Sequence, residues 1–236
     1  MSHTDGAVNP FGQPIGVPVT SWCPRAMPGE TPLVGDAIIV RPLVADDLPG
    51  LFTATCTSAP ERWTYMTEGP FDDVAGLAAY LRPLVDSPAS RPMTLTTPTG
   101  EIVGTASFMR IDPTHGTVEV GSIMLSPGLA RTRAATQAMT LMAAHVFEDL
   151  GYRRYEWKCD SLNEPSRRAA LRLGFAFEGV WRNALVYKGR NRDTAWFAMT
   201  DDDWTVLAPL HRAWLDHTRD APQQYSLSEL TAARRS

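Results

Sequence analysis

The chain of 236 residues predicts an α/β (α+β) domain, a mixed and mostly antiparallel central sheet flanked by helices, preceded by a Pro/Gly-rich N-terminal arm. Two patterns predict it. Three β-patterned runs, separated by turn residues, follow one another between Met93 and Leu125. A strongly amphipathic helix then separates the third run from another alternating run at Arg154 to Cys159, and strand, helix, strand in that order make a parallel crossover. With 44% hydrophobic and 20% charged residues, the composition is that of a folded globular chain.

From Asn9 to Gly35, Pro10, Pro14, Pro18, Pro24, Pro28 and Pro32 exclude regular helix. Phe11, Ile15 and Trp22 predict that this arm lies against the domain, since a free linker is poor in aromatics. The organisation expected is an arm over residues 1–36, one domain over 37–219 and a polar tail over 220–236. Ile38-Ile39-Val40 reads as a strand, and Ala45-Asp46-Asp47 as the cap of a helix through Leu48, Leu51 and Phe52. A second helix runs from Asp72 toward Leu84. Met93 to Thr97, the Pro98-Thr99-Gly100 turn and Ile102 to Phe108 form a hairpin, and Asp112 to Gly116 turns the chain into Thr117 to Leu125.

In the crossover helix, Ala135, Ala138, Met139, Met142, Val146, Phe147 and Leu150 share one face, and Gly151 stops it. Tyr155, Trp157 and Cys159 then alternate with Arg154, Glu156 and Lys158, the pattern of a strand with one buried face. A short helix starts with Asn163 as N-cap and Pro165 in its first turn, and ends at Gly174. Phe175 to Trp181 and Thr194 to Met199 are the last strands, and Asp201 to Asp203 cap a helix carrying Trp204, Leu207, Leu210 and Trp214.

No apolar run approaches the roughly 20 residues a bilayer requires. The opening Met-Ser-His-Thr-Asp-Gly has neither a basic nor an apolar targeting region, so a cytoplasmic address is the expectation. Cys23, Cys56 and Cys159 form no CxxC pair and are read as reduced thiols, while the five scattered histidines predict no metal. Although the net charge is −4, residues 151–192 hold ten Lys and Arg against four Asp and Glu. Such a segment is a solvated face or a seat for phosphates. Nucleic acid is disfavoured as a partner by the acidic total and the absence of a recognised module.

The run Val118-Glu119-Val120-Gly121-Ser122-Ile123-Met124-Leu125, the helix opening Ala135-Thr136-Gln137-Ala138, and Asn163-Glu164-Pro165-Ser166 with Leu173-Gly174-Phe175 and Glu178-Gly179 together resemble the GNAT superfamily of N-acetyltransferases. Within it, the strings are most similar to the bacterial ribosomal-protein N-terminal acetyltransferases, over residues 38–204. The resemblance implies transfer of acetyl from acetyl-CoA to a primary amine, of a protein N-terminus or a small molecule, by direct attack in a ternary complex. Acetyl-CoA and the amine acceptor are then the partners, with a homodimer left open. It also implies that the strand backbone at Ile123, Met124 and Leu125 pairs with the pantetheine arm, where the plain alternative is the end of a buried strand.

Apart from any family, the helix start at Thr132, Arg133, Ala134, Ala135 and Thr136 offers about four unpaired N–H donors and a positive dipole end, which suit a pyrophosphate. Where the family has glycines, this loop carries Arg131 and Arg133, which either bind phosphate directly or are solvated residues of a first turn. Asn163 is a helix cap, a ligand contact, or both. The family's tyrosine acid is replaced by Ala170, and the resemblance suggests Ser166 for the departing thiolate, against a first-turn serine without chemistry. Glu119, facing away from Val118 and Val120, is the candidate base for the amine, or a strand glutamate paired with an arginine. Trp63, Tyr65, Phe71, Tyr187 and Arg190 are candidates for holding the acceptor, or aromatic hinge packing. A coenzyme-A sensor without turnover is the alternative function, motivated by the arginines and the missing tyrosine.

Overall fold

The computed structural model describes residues 7–29, 31–220 and 226–232. In chain order these form β1 (Leu33–Val34), β2 (Ile39–Pro42), α1 (Leu48–Thr55), α2 (Val74–Asp86), β3 (Arg91–Thr96), β4 (Ile102–Asp112), β5 (Thr117–Leu125), α3 (Arg133–Ala144), β6 (Arg154–Asp160), α4 (Glu164–Arg172), β7 (Ala176–Tyr187), β8 (Arg190–Thr200), α5 (Asp201–Asp220) and α6 (Leu227–Ala232). One eight-stranded sheet has the order β1-β2-β3-β4-β5-β6-β8-β7. Every neighbouring pair is antiparallel except β5 and β6, which the α3 crossover joins in parallel as predicted.

Strand alternation decides which helices cover which face. Val118 and Val120 on β5, Tyr155, Trp157 and Cys159 on β6, and Phe197 and Met199 on β8 meet Ala138, Met139 and Met142 of α3 and Trp204 and Leu207 of α5 in the main core. Burying each large side chain contributes roughly 1.5–3 kcal/mol. A second core, of Leu51, Trp63, Leu77, Leu81 and Met124, lies on the other face under α1 and α2. Asp47 precedes α1 as expected but does not cap it with its side chain: the buried carboxylate instead accepts from Val44 N, from Arg41 and from Thr94 Oγ1, tying the helix start to β2 and β3.

Several boundaries differ from expectation for physical reasons. Asp73 caps α2, its Oδ1 accepting from Gly76 N at 2.8 Å, so the helix starts after it. The long amphipathic run breaks after Ala144 into a π-helical turn, His145–Asp149, before Gly151 takes a φ of +67°. β7 and β8 extend far beyond the apolar segments that announced them, because an edge strand needs no buried face and the polar residues of 182–193 hide its pattern. Residues 227–232, within the stretch read as a polar tail, form a helix that buries Leu227; residues 221–225 and 233–236 lie outside the described ones.

Only the second half of the arm docks as expected. Trp22 donates from Nε1 to Thr114 O at 2.8 Å and packs so closely on Gly116 (φ +65°) that a Cβ there would lie 2.4 Å from the indole. Phe11 is instead 86% exposed and Ile15 nearly half exposed, on a small loop held by Asn9 Oδ1, which accepts from Phe11 N and Gln13 N.

Two polar anchors fasten α5. His211, 1% exposed, lies 3.0 Å through Nε2 from Leu173 O and 2.8 Å through Nδ1 from Thr140 Oγ1, whose hydroxyl also reaches Thr136 O at 2.9 Å. Arg133 donates from Nε (3.0 Å) and Nη2 (2.9 Å) to Leu215 O and from Nη1 to Asp36.

Burial lowers the His211 pKa from 6.5 to about 4. The unfolded chain therefore binds more protons between those values, and stability should fall by about 3 kcal/mol as pH drops from 6.5 to 4. Urea unfolding across that range should show His211→Gln lacking this component of the slope; an identical slope would refute it. Arg133→Ala should cost about 1–3 kcal/mol in the same assay at neutral pH, through loss of charge-assisted hydrogen bonds.

Candidate active site

β5 and β6 pair only from Thr117↔Arg154 to Val120↔Trp157, yet both strands continue. β6 stays bound to β8 through Asp160↔Thr194, and β5 to β4 through Leu125↔Gly104. Beyond Val120 the two therefore part, and the edge of Gly121–Leu125 that faced β6 has no strand partner. A bulge is responsible: Ser107 pairs with Gly121 and Thr105 with Met124, so Ala106 opposes both Ser122 and Ile123, with Ser122 at φ +48°. The extra residue reverses the alternation, and Met124 packs under α1 and α2 while Val120 faces α3. Ser122 Oγ is buried without a hydrogen-bond partner among the described residues. An open strand edge with an orphan hydroxyl fits an extended, amide-bearing ligand such as a pantetheine arm.

The open edge leads into the start of α3. Thr132 caps it, Oγ1 accepting from Ala135 N at 3.2 Å and donating to Leu129 O at 2.6 Å. Arg133 and Ala134 present first-turn N–H groups that have no intrahelical acceptor. Arg131 is exposed at φ +65°, so the left-handed geometry glycine would supply is kept, at a strain of about 1–2 kcal/mol. The expectation of phosphate binding by the Arg133 side chain is corrected: its guanidinium is held by Leu215 and Asp36. Ala135 and Thr136 bury their side chains, and Thr136 Oγ1 accepts from Arg172 Nη1 at 3.0 Å. Arg172, stacked on Trp214 at 4.9 Å, has no carboxylate partner among the described residues. Sequence reasoning passed over it.

Glu119 stands at the root of the fork, on the face opposite α3, and is only 5% exposed. Lys158 Nζ lies 2.5 Å and Arg110 Nε 3.6 Å from its Oε2. Burial raises the carboxyl above its usual range, and the two cations oppose that shift. The pairing with an arginine weighed for Glu119 is thus present, together with a closer lysine. Charges continue across the face: Arg110 lies 3.9 Å from Glu156, Glu156 is 2.6 Å from Arg154, and Arg154 2.5 Å from Glu178. Lys158 and Arg110 both lie over the ring of Trp196, at 4.6 and 5.0 Å, and Trp181 packs against that ring. Lys158, Arg110 and Trp196 were also missed; only the alternation of β6 could have placed Lys158 on the face of Glu119.

On the other face, Ser166 Oγ accepts from Trp157 Nε1 at 3.0 Å, and its hydroxyl also hydrogen-bonds the Cys159 thiol. Asn163 acts as the N-cap, Oδ1 accepting from Ser166 N at 3.1 Å. Of the acceptor candidates, Trp63 is a core residue, donating to Thr55 O and packed edge-on against Phe71 at 5.3 Å. Tyr65 is half-buried. Tyr187 OH donates to Asp160 Oδ2 at 2.7 Å, and burial first, then that aspartate, push its pKa up to about 12. The hairpin tip meets the loop after α1 through Lys188 Nζ to Trp63 O (2.7 Å) and Arg190 Nη2 to Thr64 O (3.4 Å), so Trp63, Tyr187 and Arg190 come together across the sequence. Among the described residues no three His, Cys, Asp or Glu side chains gather to hold a metal, and no helix is long and apolar enough to cross a membrane.

Residues 37–176 match the family described as acetyltransferase (GNAT) domain. The crystal structure of a GCN5-related N-acetyltransferase from Brucella melitensis superimposes with a TM-score of 0.85 and 38% identity, covering 91% of this chain and all of that one (100%). The uncharacterized N-acetyltransferase p20 of Bacillus licheniformis is 29% identical over 150 residues, 60% of this chain and 82% of that protein. The ribosomal-protein-serine acetyltransferase of Escherichia coli (strain K12) is 33% identical over 84 residues, 36% of this chain and 46% of its own. With a match over more than half its length and a solved relative that it covers entirely, the chain belongs to the GNAT acetyltransferase family and is an acyltransferase.

Proposed function

We propose that the protein acetylates a primary amine, of a protein N-terminus or a small molecule, by direct attack on acetyl-CoA held in the fork between β5 and β6. The observation that carries this reading is the parting of the strands after Val120. Acetyl-CoA supplies an activated acyl group on a thiol leaving group. The backbone of Ile123, Met124 and Leu125 binds its pantetheine arm as an added strand, and the backbone near Met124 polarises the carbonyl. The N–H groups of Arg133 and Ala134, with exposed Arg131, receive the pyrophosphate. Partial identity to a ribosomal-protein-serine acetyltransferase supports a protein N-terminus as one acceptor. A cytoplasmic location and a homodimer are compatible with this reading.

Glu119 takes the proton that the amine must lose. Its burial makes the carboxylate more basic, while Lys158 and Arg110 keep a useful fraction ionised. Ser166 stands on the opposite face, oriented by Trp157, and turns its hydroxyl from the weakly accepting Cys159 thiol to the departing sulfur. Tyr187, Arg190 and Tyr65 border the acceptor side, with Trp63 and Phe71 as the packed base of that wall.

Acetyl-CoA should raise the melting temperature, by about 2.7 kcal/mol of stabilisation at a hundred times its Kd, and no shift at saturating ligand would remove the reading. Glu119→Gln should lower turnover by about 10²–10⁴ at neutral pH with partial recovery at high pH, where the amine deprotonates unaided. Ser166→Ala should slow turnover without that recovery. A thiol-release assay against pH checks both, and parental rates at neutral pH would sink the assignments.

A further inference from the structure

The carboxylates that the strands place on the acceptor face are all engaged. Glu119 is held by Lys158 and Arg110, Glu156 by Arg154, Glu178 by Arg154, and Asp160 by Tyr187 OH and Leu162 N. The hairpin tip between β7 and β8 shows the reverse. Lys188 donates to Trp63 O, Arg190 to Thr64 O and Arg192 Nε to Thr194 Oγ1 at 3.2 Å, all neutral acceptors. None of the three forms an ion pair with a described carboxylate, although Glu61 and Glu68 lie on the loop it touches. Burial and the neighbouring Arg190 both push the Lys188 ammonium below its usual range, as expected of a cation crowded by like charge. The spare charge of the hairpin tip is therefore positive.

A polyamine needs free carboxylates along its length, and those that the strands place on this face are all held by partners. We propose that the acceptor is an amine bearing carboxylates close by, as in an acidic peptide N-terminus, and that Lys188, Arg190 and Arg192 form the subsite for that negative charge. The inference rests on the acetyl-transfer reading and narrows its acceptor. Arginine forks at positions 190 and 192 suit bidentate carboxylate binding, while the lysine braces the tip against the loop after α1. The subsite selects by charge and the fork does the chemistry, so the two are separable.

The test compares short peptides with free N-termini carrying Asp and Glu, neutral residues or Lys at positions two to four, together with free glutamate and spermidine, by thiol release from acetyl-CoA. The acidic peptide should exceed the neutral one in kcat/KM by at least about tenfold at low salt, with the ratio shrinking as salt rises. Lys-bearing peptide and spermidine should be poorest. Free glutamate matching the acidic peptide would assign the subsite to small carboxylated amines, and a much lower value would assign it to peptides. In Arg190→Ala/Arg192→Ala the acidic-to-neutral ratio should fall toward one, and Arg190→Lys/Arg192→Lys should restore part of it. A ratio taken within one variant is insensitive to partial misfolding. Equal use of acidic and neutral peptides by the parent, a preference for spermidine, or an unchanged ratio in the double variant overturns the inference and leaves acetyl transfer standing. Absence of thiol release with every acceptor removes both.

Discussion

The separation of β5 from β6 after Val120 is the constraint on which the site depends. Two parallel strands joined over four residue pairs must each find another partner once they diverge, and β4 and β8 provide it. The bulge at Ser122 reverses the alternation of β5, so that Met124 enters the core under α1 and α2 rather than the one under α3. A straight strand would bring Met124 toward α3 and keep β5 beside β6. Only residues 126–132 separate β5 from α3, so the open strand edge is followed closely by a helix start with unpaired N–H groups. A single extra residue thereby accompanies the opening of a strand edge that runs toward a helix terminus.

The root of the fork is closed by charge. Glu119 lies just before the divergence on β5 and Lys158 just after it on β6, and their 2.5 Å contact spans the gap. Burying such a pair gives little net stability, since the cost of desolvation cancels most of the Coulomb gain. The arrangement makes better sense as a means of holding an ionised carboxylate in a poorly hydrated place. Trp196 serves the same end, because its ring carries both cations beside Glu119. The second bulge contributes as well: Arg110 occupies it with a φ of +48°, and without that turn in β4 its side chain would not reach Glu119.

Most of the fold was legible because period and punctuation agree. The meander, the crossover and the faces of Val118, Val120, Tyr155 and Trp157 all follow from alternation and turn residues. Edge and terminal elements were not legible in the same way: the outer half of β7 is exposed on both faces and so carries no alternation, and α6 is too short for a period to register. At the site, the fork and the face of Glu119 were readable, whereas Lys158 and Arg110 were not, since a contact across strands depends on bulges that the sequence does not mark. Trp63 illustrates the opposite error. An aromatic in a loop suggested ligand contact, yet its indole fills the second core and its backbone carbonyl, not its ring, meets the hairpin tip.

The phosphate loop shows how a family pattern can be lost in residue type and kept in geometry. Arg131 adopts the left-handed backbone that glycine would take at no cost, and the strain is borne by a loop fastened at both ends, by Ser126 O and Oγ before it and by Thr132 capping α3 after it. Arg133 is one turn of reasoning away from the same role but does something else, because its side chain leaves the loop and binds the carbonyl of Leu215 on α5. One arginine therefore supplies positive charge at the opening, and the other fixes the helix whose N-terminus must stay aimed at it. Neutral donors from the backbone and an exposed guanidinium would then act together on the phosphate in the proposed site. A backbone terminus alone offers direction with only partial charge, a flexible side chain offers charge with little direction, and their combination offsets the closer approach that a glycine loop would have allowed.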